Sequence, residues 1–271
     1  MTLSGLDAPL VLDWPLESLQ RELAELLPGL AVQALRSIDS TNTELMRRVR
    51  AGDATPVLLV AEQQSAGRGR LGRQWVSGTT AQATEAQDQA SLTFSLGLPL
   101  APADWSGLSL AVGVALAQAL HGDLRLKWPN DLWWQQRKLG GILVETASWG
   151  ASRYVVVGVG LNLLQPPPAG LSTAPAWLGE LLPGVDAPAV LRRVAGPLAL
   201  ALRQFERSGF ASFQPAFQAL DGLSGQPVVL SSGASGIAQG VDPRGALLVH
   251  TPEGVQAVNS AEVSVRAAPR T

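Results

Sequence analysis

Residues 61–75 read Ala61-Glu-Gln-Gln-Ser-Ala-Gly67-Arg-Gly-Arg-Leu-Gly-Arg-Gln-Trp75, and the choice of fold turns on what this stretch is. It follows residues 57–62, an apolar run that predicts a strand. Gly67, Gly69 and Gly72 spell a literal G-x-G-x-x-G. A dinucleotide fold would open a helix here and place an acidic residue about 20 positions on, at a strand end. Residues 73–78 carry no apolar helical spacing, and Asp88 falls in a low-complexity Thr/Ala/Gln/Glu stretch, residues 77–90. No Gly-Lys-Ser/Thr follows, so a Walker A loop is excluded as well. What the stretch does offer is three glycines that let backbone approach a ligand, and Arg68, Arg70 and Arg73, which can fork onto phosphate oxygens. Trp75 can stack on a purine. Such a loop repels itself when empty and is expected to order when an anion arrives. From composition alone, a solvated basic turn remains the alternative.

Working outward, residues 16–27 place leucines at helical spacing until Pro28-Gly29 stops the run. Helices are expected at residues 43–50, 105–120, 187–207 (kinked at Gly196-Pro197) and 213–220. Strands are expected at 91–98, 124–128, 140–146 and 154–159. The stretch 77–90 reads as a surface loop, and 165–170 as a proline-rich linker. Beyond Gly222 short strand-like pieces punctuated by Gly, Pro and Asp (around 228, 236–240, 246–250 and 263–265) indicate a small β-barrel. The expected organisation is an N-terminal extension with one helix (1–35), a mixed α/β domain (36–221) and a small all-β domain (222–271).

Three further elements carry polar chemistry. Lys127-Trp-Pro-Asn-Asp131 ends a strand, and Arg137-Lys-Leu-Gly-Gly-Ile-Leu-Val-Glu145 begins the next. Together they place Lys138, Asn130 and Asp131 where open α/β sheets build sites; a structural turn with solvated lysines is the alternative. Asp39-Ser-Thr-Asn42 reads first as a capping box, Thr41-x-x-Glu44, although Ser40 and Asn42 can point polar groups into a pocket. Val155-Val-Val-Gly-Val-Gly160-Leu-Asn162 is an apolar strand ending in an amide, which suits an adenine edge as readily as a turn.

Composition narrows the class. Of 271 residues, 46% are hydrophobic and 15% charged, with a net charge of −2; a general nucleic-acid binder would show a basic excess. There is no cysteine, which removes disulfides, thiolate nucleophiles and cysteine metal sites. The N-terminus lacks a signal-peptide pattern, and no apolar run reaches the roughly 20 residues that span a bilayer. A cytoplasmic location and no membrane partner are expected.

In order, these elements resemble the biotin–protein ligase family. The match rests on Ser40-Thr-Asn42, Gln64 to Trp75, Lys127 to Leu132, Arg137 to Glu145 and Gly158-Val-Gly-Leu-Asn162. The resemblance implies a catalytic domain like that of class II aminoacyl-tRNA synthetases, followed by an SH3-like domain. It implies that Ser40, Thr41, Asn42, Gln64, Gly67, Arg68, Lys138 and Gly141 bind biotin, and that Arg68, Arg70, Arg73, Trp75, Asn130 and Asn162 bind ATP and the adenylate. Lys138, Arg70 and Asp131 are implied as catalytic, with Asp131 assisting deprotonation of the acceptor amine. ATP and Mg²⁺ are the implied cofactors. The implied partners are biotin and a biotin carboxyl carrier protein, with an edge strand open to pairing in a homodimer. A DNA-reading domain needs about three helices and finds no room before Asp39, so ligase activity without repressor function is expected. Residues 77–90 form a longer stretch than the resemblance leads one to expect. The competing readings are a lipoate or octanoate ligase or transferase of the same fold, and an RNA-binding module using Arg-Gly segments.

Overall fold

The computed structural model describes residues 10, 12–76, 89–150, 152–166, 174–231, 233–259 and 265–267, the last three by backbone alone. In chain order the elements are α1 (Leu16–Leu23), β1 (Ala31–Ile38), α2 (Thr41–Arg50), β2 (Val57–Gln64), β3 (Ser91–Leu100), α3 (Leu108–Leu120), β4 (Arg125–Lys127) and β5 (Asp131–Trp134). They continue with β6 (Arg137–Trp149), β7 (Ser152–Asn162), α4 (Ala187–Ser208), α5 (Gln214–Leu220), β8 (Pro227–Leu230), β9 (Ser235–Val241), β10 (Leu247–Thr251), β11 (Gly254–Val258) and β12 (Val265–Ala267).

The first seven strands form one mixed sheet in the order β1-β2-β3-β7-β6-β5-β4. β1 and β2 are parallel and joined through α2, and every other pair is antiparallel. The central β3 and β7 pair from Ser91↔Asn162 to Leu100↔Arg153 and are buried almost throughout, as expected for strands covered on both faces. On one face α2 seats Leu45, Met46 and Val49 against Val57, Leu59, Tyr154 and Val156. On the other, α1, α3 and α4 build the main core. Apolar on nearly all sides, α3 is buried around its circumference, which only a helix enclosed by other elements tolerates. This topology sends the C-terminal ends of β1, β2 and β7 to one edge, beside the N-terminal ends of β3 and β6. That edge carries the site.

The second sheet is antiparallel with order β11-β10-β9-β8-β12. Its outer strands, β11 and β12, share no ladder among the described residues. The two sheets are fastened where the Trp128 indole N–H, buried at the Lys127–Asp131 turn, donates to the Gly245 carbonyl at 3.0 Å. A Cβ on Gly245 would stand 2.9 Å from Gly107 Cα, so that turn packs directly on the start of α3.

Three strands were not foreseen. β1 is an edge strand of intermediate burial without clean alternation, β5 has only four residues, and β11 is mostly exposed. Pro197 lies inside α4, which nevertheless continues through it as one 22-residue element. Residues 77–88 of the expected surface loop, 167–170 of the expected linker and 263–264 of the last expected strand lie outside the described residues. No described helix is long and apolar enough to cross a membrane.

Asp221 joins the two sheets. Its neighbour Gly222 donates to the Leu126 carbonyl at 2.8 Å, and its Oδ1 accepts from Leu223 N at 2.8 Å. Its Oδ2 is buried with no partner, and burial pushes the carboxyl above the usual range while the Leu223 and Ser224 amides oppose that shift. A carboxyl raised in the folded state is harmless while both states hold the proton. It becomes a liability as pH rises through its folded value, because the unfolded chain gives up the proton more readily. Asp221→Asn keeps the oxygen that accepts from Leu223. It is expected to melt higher than wild type at pH 7, with the gain vanishing near about pH 3, where carboxylates are protonated in both states. An equal or lower melting temperature at pH 7 would contradict this.

Candidate active site

The cleft floor is bare backbone. Gly141 on β6 pairs with Gly160 on β7, and Leu143 pairs with Gly158. The two glycines of β7 are required by their neighbours: a Cβ at Gly158 would lie 2.0 Å from Asn42 Oδ1, and one at Gly160 would lie 2.5 Å from the Trp75 indole. Over this floor a cavity of about 150 Å³ is lined by α2, by the Gly/Arg segment and by the Lys127–Asp131 turn.

One end of the cleft is uncharged and hydrogen-bonded. The cap of α2 is Ser40, whose Oγ accepts from Thr43 N, so the capping box expected at Thr41 does not form. Glu44 turns instead to Arg47 and Arg48. Thr41 is thereby released to the cleft. Its backbone N donates to Gln64 Oε1 at 2.7 Å, and its hydroxyl lies 3.2 Å from that oxygen and 2.7 Å from Ser95 Oγ. Ser95 Oγ is in turn 2.6 Å from Asn42 Oδ1. Asn42 Nδ2 donates to Glu145 Oε2 at 3.0 Å, and Glu145 Oε1 meets Arg68 at 3.0 Å. Ser40, Thr41, Asn42 and Ser95 are buried.

The other end is cationic. Arg68, Arg70, Arg73, Lys127 and Lys138 line the cleft with Asp131, and Glu145 pairs Arg68 from behind; five cations against these two carboxylates are an imbalance that calls for an anionic ligand. Lys138 Nζ donates to Asp131 Oδ1 at 2.7 Å. Their meeting depends on a β-bulge. Asp131 pairs with Gly141 and Leu132 with Gly140, but Trp133 pairs with Lys138, so Leu139 is the extra residue. Three positions apart on a regular strand, Lys138 and Gly141 would face opposite sides; the bulge puts them on one. Leu139 itself is fully buried in the core. Arg70 reaches toward Asn130 Oδ1 at 3.4 Å, and Asn130 is fixed by donating to the Ile142 carbonyl. Burial pulls the Arg70 guanidinium below its usual range; Asp131 opposes this and Arg73 adds to it. An arginine so placed stays charged.

The Gly/Arg segment is a short turn in which Leu71 adopts φ +55° with its side chain exposed, followed by Gly72 at φ +73°. Trp75 N donates to the Gly67 carbonyl at 2.9 Å. The Trp75 indole lies on Gly160 with its N–H buried and unpartnered.

Two expected site residues are placed differently from the rest. Gly67 is not on the cleft wall; it permits the close approach of the Trp75 carbonyl, 2.3 Å from where a Cβ would stand. Asn162 is also off the wall. Its amide donates to the Ala176 carbonyl at 2.9 Å and lies 3.5 Å from the Lys138 carbonyl. It ties Ala176 to the end of β7. Beside it Arg137 lies between the Trp134 and Trp177 rings and pairs with both oxygens of Glu180. Ser95, Glu145, Gly158 and Gly160 were not singled out from sequence. The signal was there in period two: Ser91, Thr93 and Ser95 alternate with Leu92, Phe94 and Leu96, and glycines interrupt an otherwise β-branched strand.

A sheet-edge cleft with this split between neutral hydrogen bonding and positive charge suits an acid with a neutral head group meeting an anionic partner. Known proteins that this chain matches are ligases. Residues 34–162 match the biotin/lipoate A/B protein ligase family, and residues 223–266 match the biotin protein ligase C terminal domain. The biotin--[acetyl-CoA-carboxylase] ligase of Paracoccus denitrificans is 34% identical over 246 residues, covering 84% of this chain and 98% of that one. The bifunctional ligase/repressor BirA of Escherichia coli is 34% identical over 255 residues, covering 89% and 76%. Among solved structures, the biotin protein ligase from Aquifex aeolicus in complex with biotin and ATP aligns with a TM-score of 0.70 at 28% identity, covering 88% and 99%. The chain belongs to the biotin–protein ligase family.

Proposed function

We propose that this chain forms biotinyl-5′-AMP from biotin and ATP and transfers the acyl group to a lysine of a biotin carboxyl carrier protein. The observation that carries the reading is the polarity of the cleft. An uncharged end (Ser40, Thr41, Gln64) suits a ureido ring, and an end with five cations suits a carboxylate meeting a triphosphate. A carboxylate oxygen attacks the α-phosphorus, and pyrophosphate leaves. The acceptor amine then attacks the acyl carbon, AMP departs with the carboxyl oxygen, and the amine loses a proton.

Lys138 neutralises charge shared by the carboxylate and the α-phosphate as they approach. Asp131 holds Lys138 at the cleft beforehand. Once Lys138 turns to phosphate, Asp131 is released to take the amine's proton. Arg68, Arg70 and Arg73 close over the nucleotide and keep water from the adenylate. Magnesium arriving with ATP would shield the outer phosphates. Asp131 and Asn130 are the oxygen donors nearest that end, and the described residues hold no cluster of three acidic or histidine ligands, so most of its shell would be phosphate and water.

The test is pyrophosphate release with Mg-ATP and biotin, octanoate or lipoate in turn. Release with biotin alone is the expected result. Release with octanoate or lipoate instead would move the chain to the other branch of the same family, and release with none would end the enzymatic reading.

A further inference from the structure

The donor at each step of the buried polar chain can be deduced by counting hydrogens. Asn42 Nδ2 lies against two acceptors, Glu145 Oε2 at 3.0 Å and the Leu143 carbonyl at 3.4 Å. That fixes the amide orientation and leaves Oδ1 facing Ser95. An amide oxygen cannot donate, so the 2.6 Å contact takes the one hydrogen of Ser95. The 2.7 Å contact between Ser95 and Thr41 must then take the one hydrogen of Thr41. Donors run one way, from Thr41 to Ser95 to Asn42, and end on the Glu145 carboxylate, which Arg68 pairs from its far side. Such a chain is reinforced by its own polarisation.

We propose that Ser95, Asn42 and Glu145 are positioning residues that hold the Thr41 hydroxyl as an acceptor, so the cleft selects acids whose head group presents a ring N–H. The inference rests on the biotin reading and deepens it. With its hydrogen committed below, Thr41 Oγ offers the cleft only lone pairs. A ureido N–H satisfies them; a dithiolane or an alkyl chain leaves them buried and unpaired, and a ring oxygen in place of the N–H meets them with repulsion. Sites built to hydrogen-bond one group reject its analogues more strongly than apolar pockets do, because the site's own polar atoms are left unpaired. Ser95 touches none of the ligand and acts through Thr41.

The experiment compares binding of biotin with its two cyclic carbamate analogues, in each of which one ring N–H is replaced by oxygen. Binding is measured calorimetrically without ATP on wild type, Ser95→Ala and Glu145→Gln. Wild type is expected to bind biotin and to disfavour at least one carbamate strongly. In Ser95→Ala the Thr41 hydroxyl keeps only its longer 3.2 Å contact with Gln64 Oε1 and can also turn its hydrogen to the ligand, so biotin binding weakens about tenfold and the biotin-to-carbamate ratio falls by a similar factor. Glu145→Gln keeps an oxygen that accepts from Asn42, and the Leu143 carbonyl holds the Asn42 amide in its present orientation, so the direction of the chain is retained and the ratio is expected to stay near the wild-type value. A purely structural effect would weaken both ligands together and leave the ratio untouched. An unchanged ratio in folded Ser95→Ala overturns the proposal, as does wild type binding both carbamates as well as biotin. Wild type that binds no biotin at all removes the functional reading and this inference with it.

Discussion

Lys138→Ala is expected to slow biotinyl-AMP formation by about a thousandfold, the upper range for removing one preorganised charge from a developing anion. Two anions must meet for the carboxylate to reach the α-phosphorus, and Lys138 is the cation that the β5–β6 bulge brings beside Asp131 and Gly141, 2.7 Å from the carboxylate. Its loss does double damage, because Asp131 is left without its partner at the anionic end and repels the triphosphate. Transfer from preformed biotinyl-AMP to the acceptor should suffer much less, since the mixed anhydride already exists and Asp131 is uncovered. Pyrophosphate exchange and single-turnover transfer, measured separately, check both halves. Exchange within about tenfold of wild type would take Lys138 out of the reacting centre.

The second large effect is expected at Gly158, where no charge changes. Its backbone is not left-handed, so the strand itself accepts alanine. The obstacle is Asn42, whose Oδ1 and Cγ would stand 2.0 and 2.8 Å from the new Cβ. Asn42 has to leave, which breaks its bonds to Ser95 and Glu145 together. One neutral and one charge-assisted hydrogen bond are worth about 3 kcal/mol, so Gly158→Ala should weaken biotin binding roughly 100-fold. The decisive control is the double variant with Asn42→Ala, which makes room for the methyl group. It should bind no worse than Asn42→Ala alone. Additive losses, or a Gly158→Ala variant within roughly threefold of wild type, would mean the glycine serves something other than Asn42.

How much of this was legible follows from which signals are local. β2 and β7 announced themselves through β-branched runs, and α3 through an apolar stretch too long for a strand. Charge and glycine content marked Arg68, Arg70 and Arg73, which line the cleft, but could not by themselves separate a phosphate site from a solvated basic turn. Which residue caps α2 could not be read, because Ser40 and Thr41 are equally good caps in sequence and only the geometry of β1 entering α2 decides for Ser40. Ser95 and Glu145 escaped for a different reason. Each is an ordinary strand residue, and what makes them functional is a cross-sheet meeting with Asn42, 53 and 103 positions away. Asn162 was conspicuous but its environment was not: the carbonyl it binds, that of Ala176, belongs to no motif. Edge strands such as β1 bury too little to leave a pattern.

The bulge at Leu139 also limits how this stretch of chain can change length over time. Losing Leu139 would restore an unbroken ladder and leave Lys138 paired with Trp133 on the cleft side, with the loss of one core side chain. Losing Lys138 instead would leave Leu139 in its place beside Gly140, facing the cleft. Descendants of this hairpin can therefore shed or regain the extra residue at 139 without moving the lysine, while the same one-residue loss a single position earlier puts a leucine into the reaction centre.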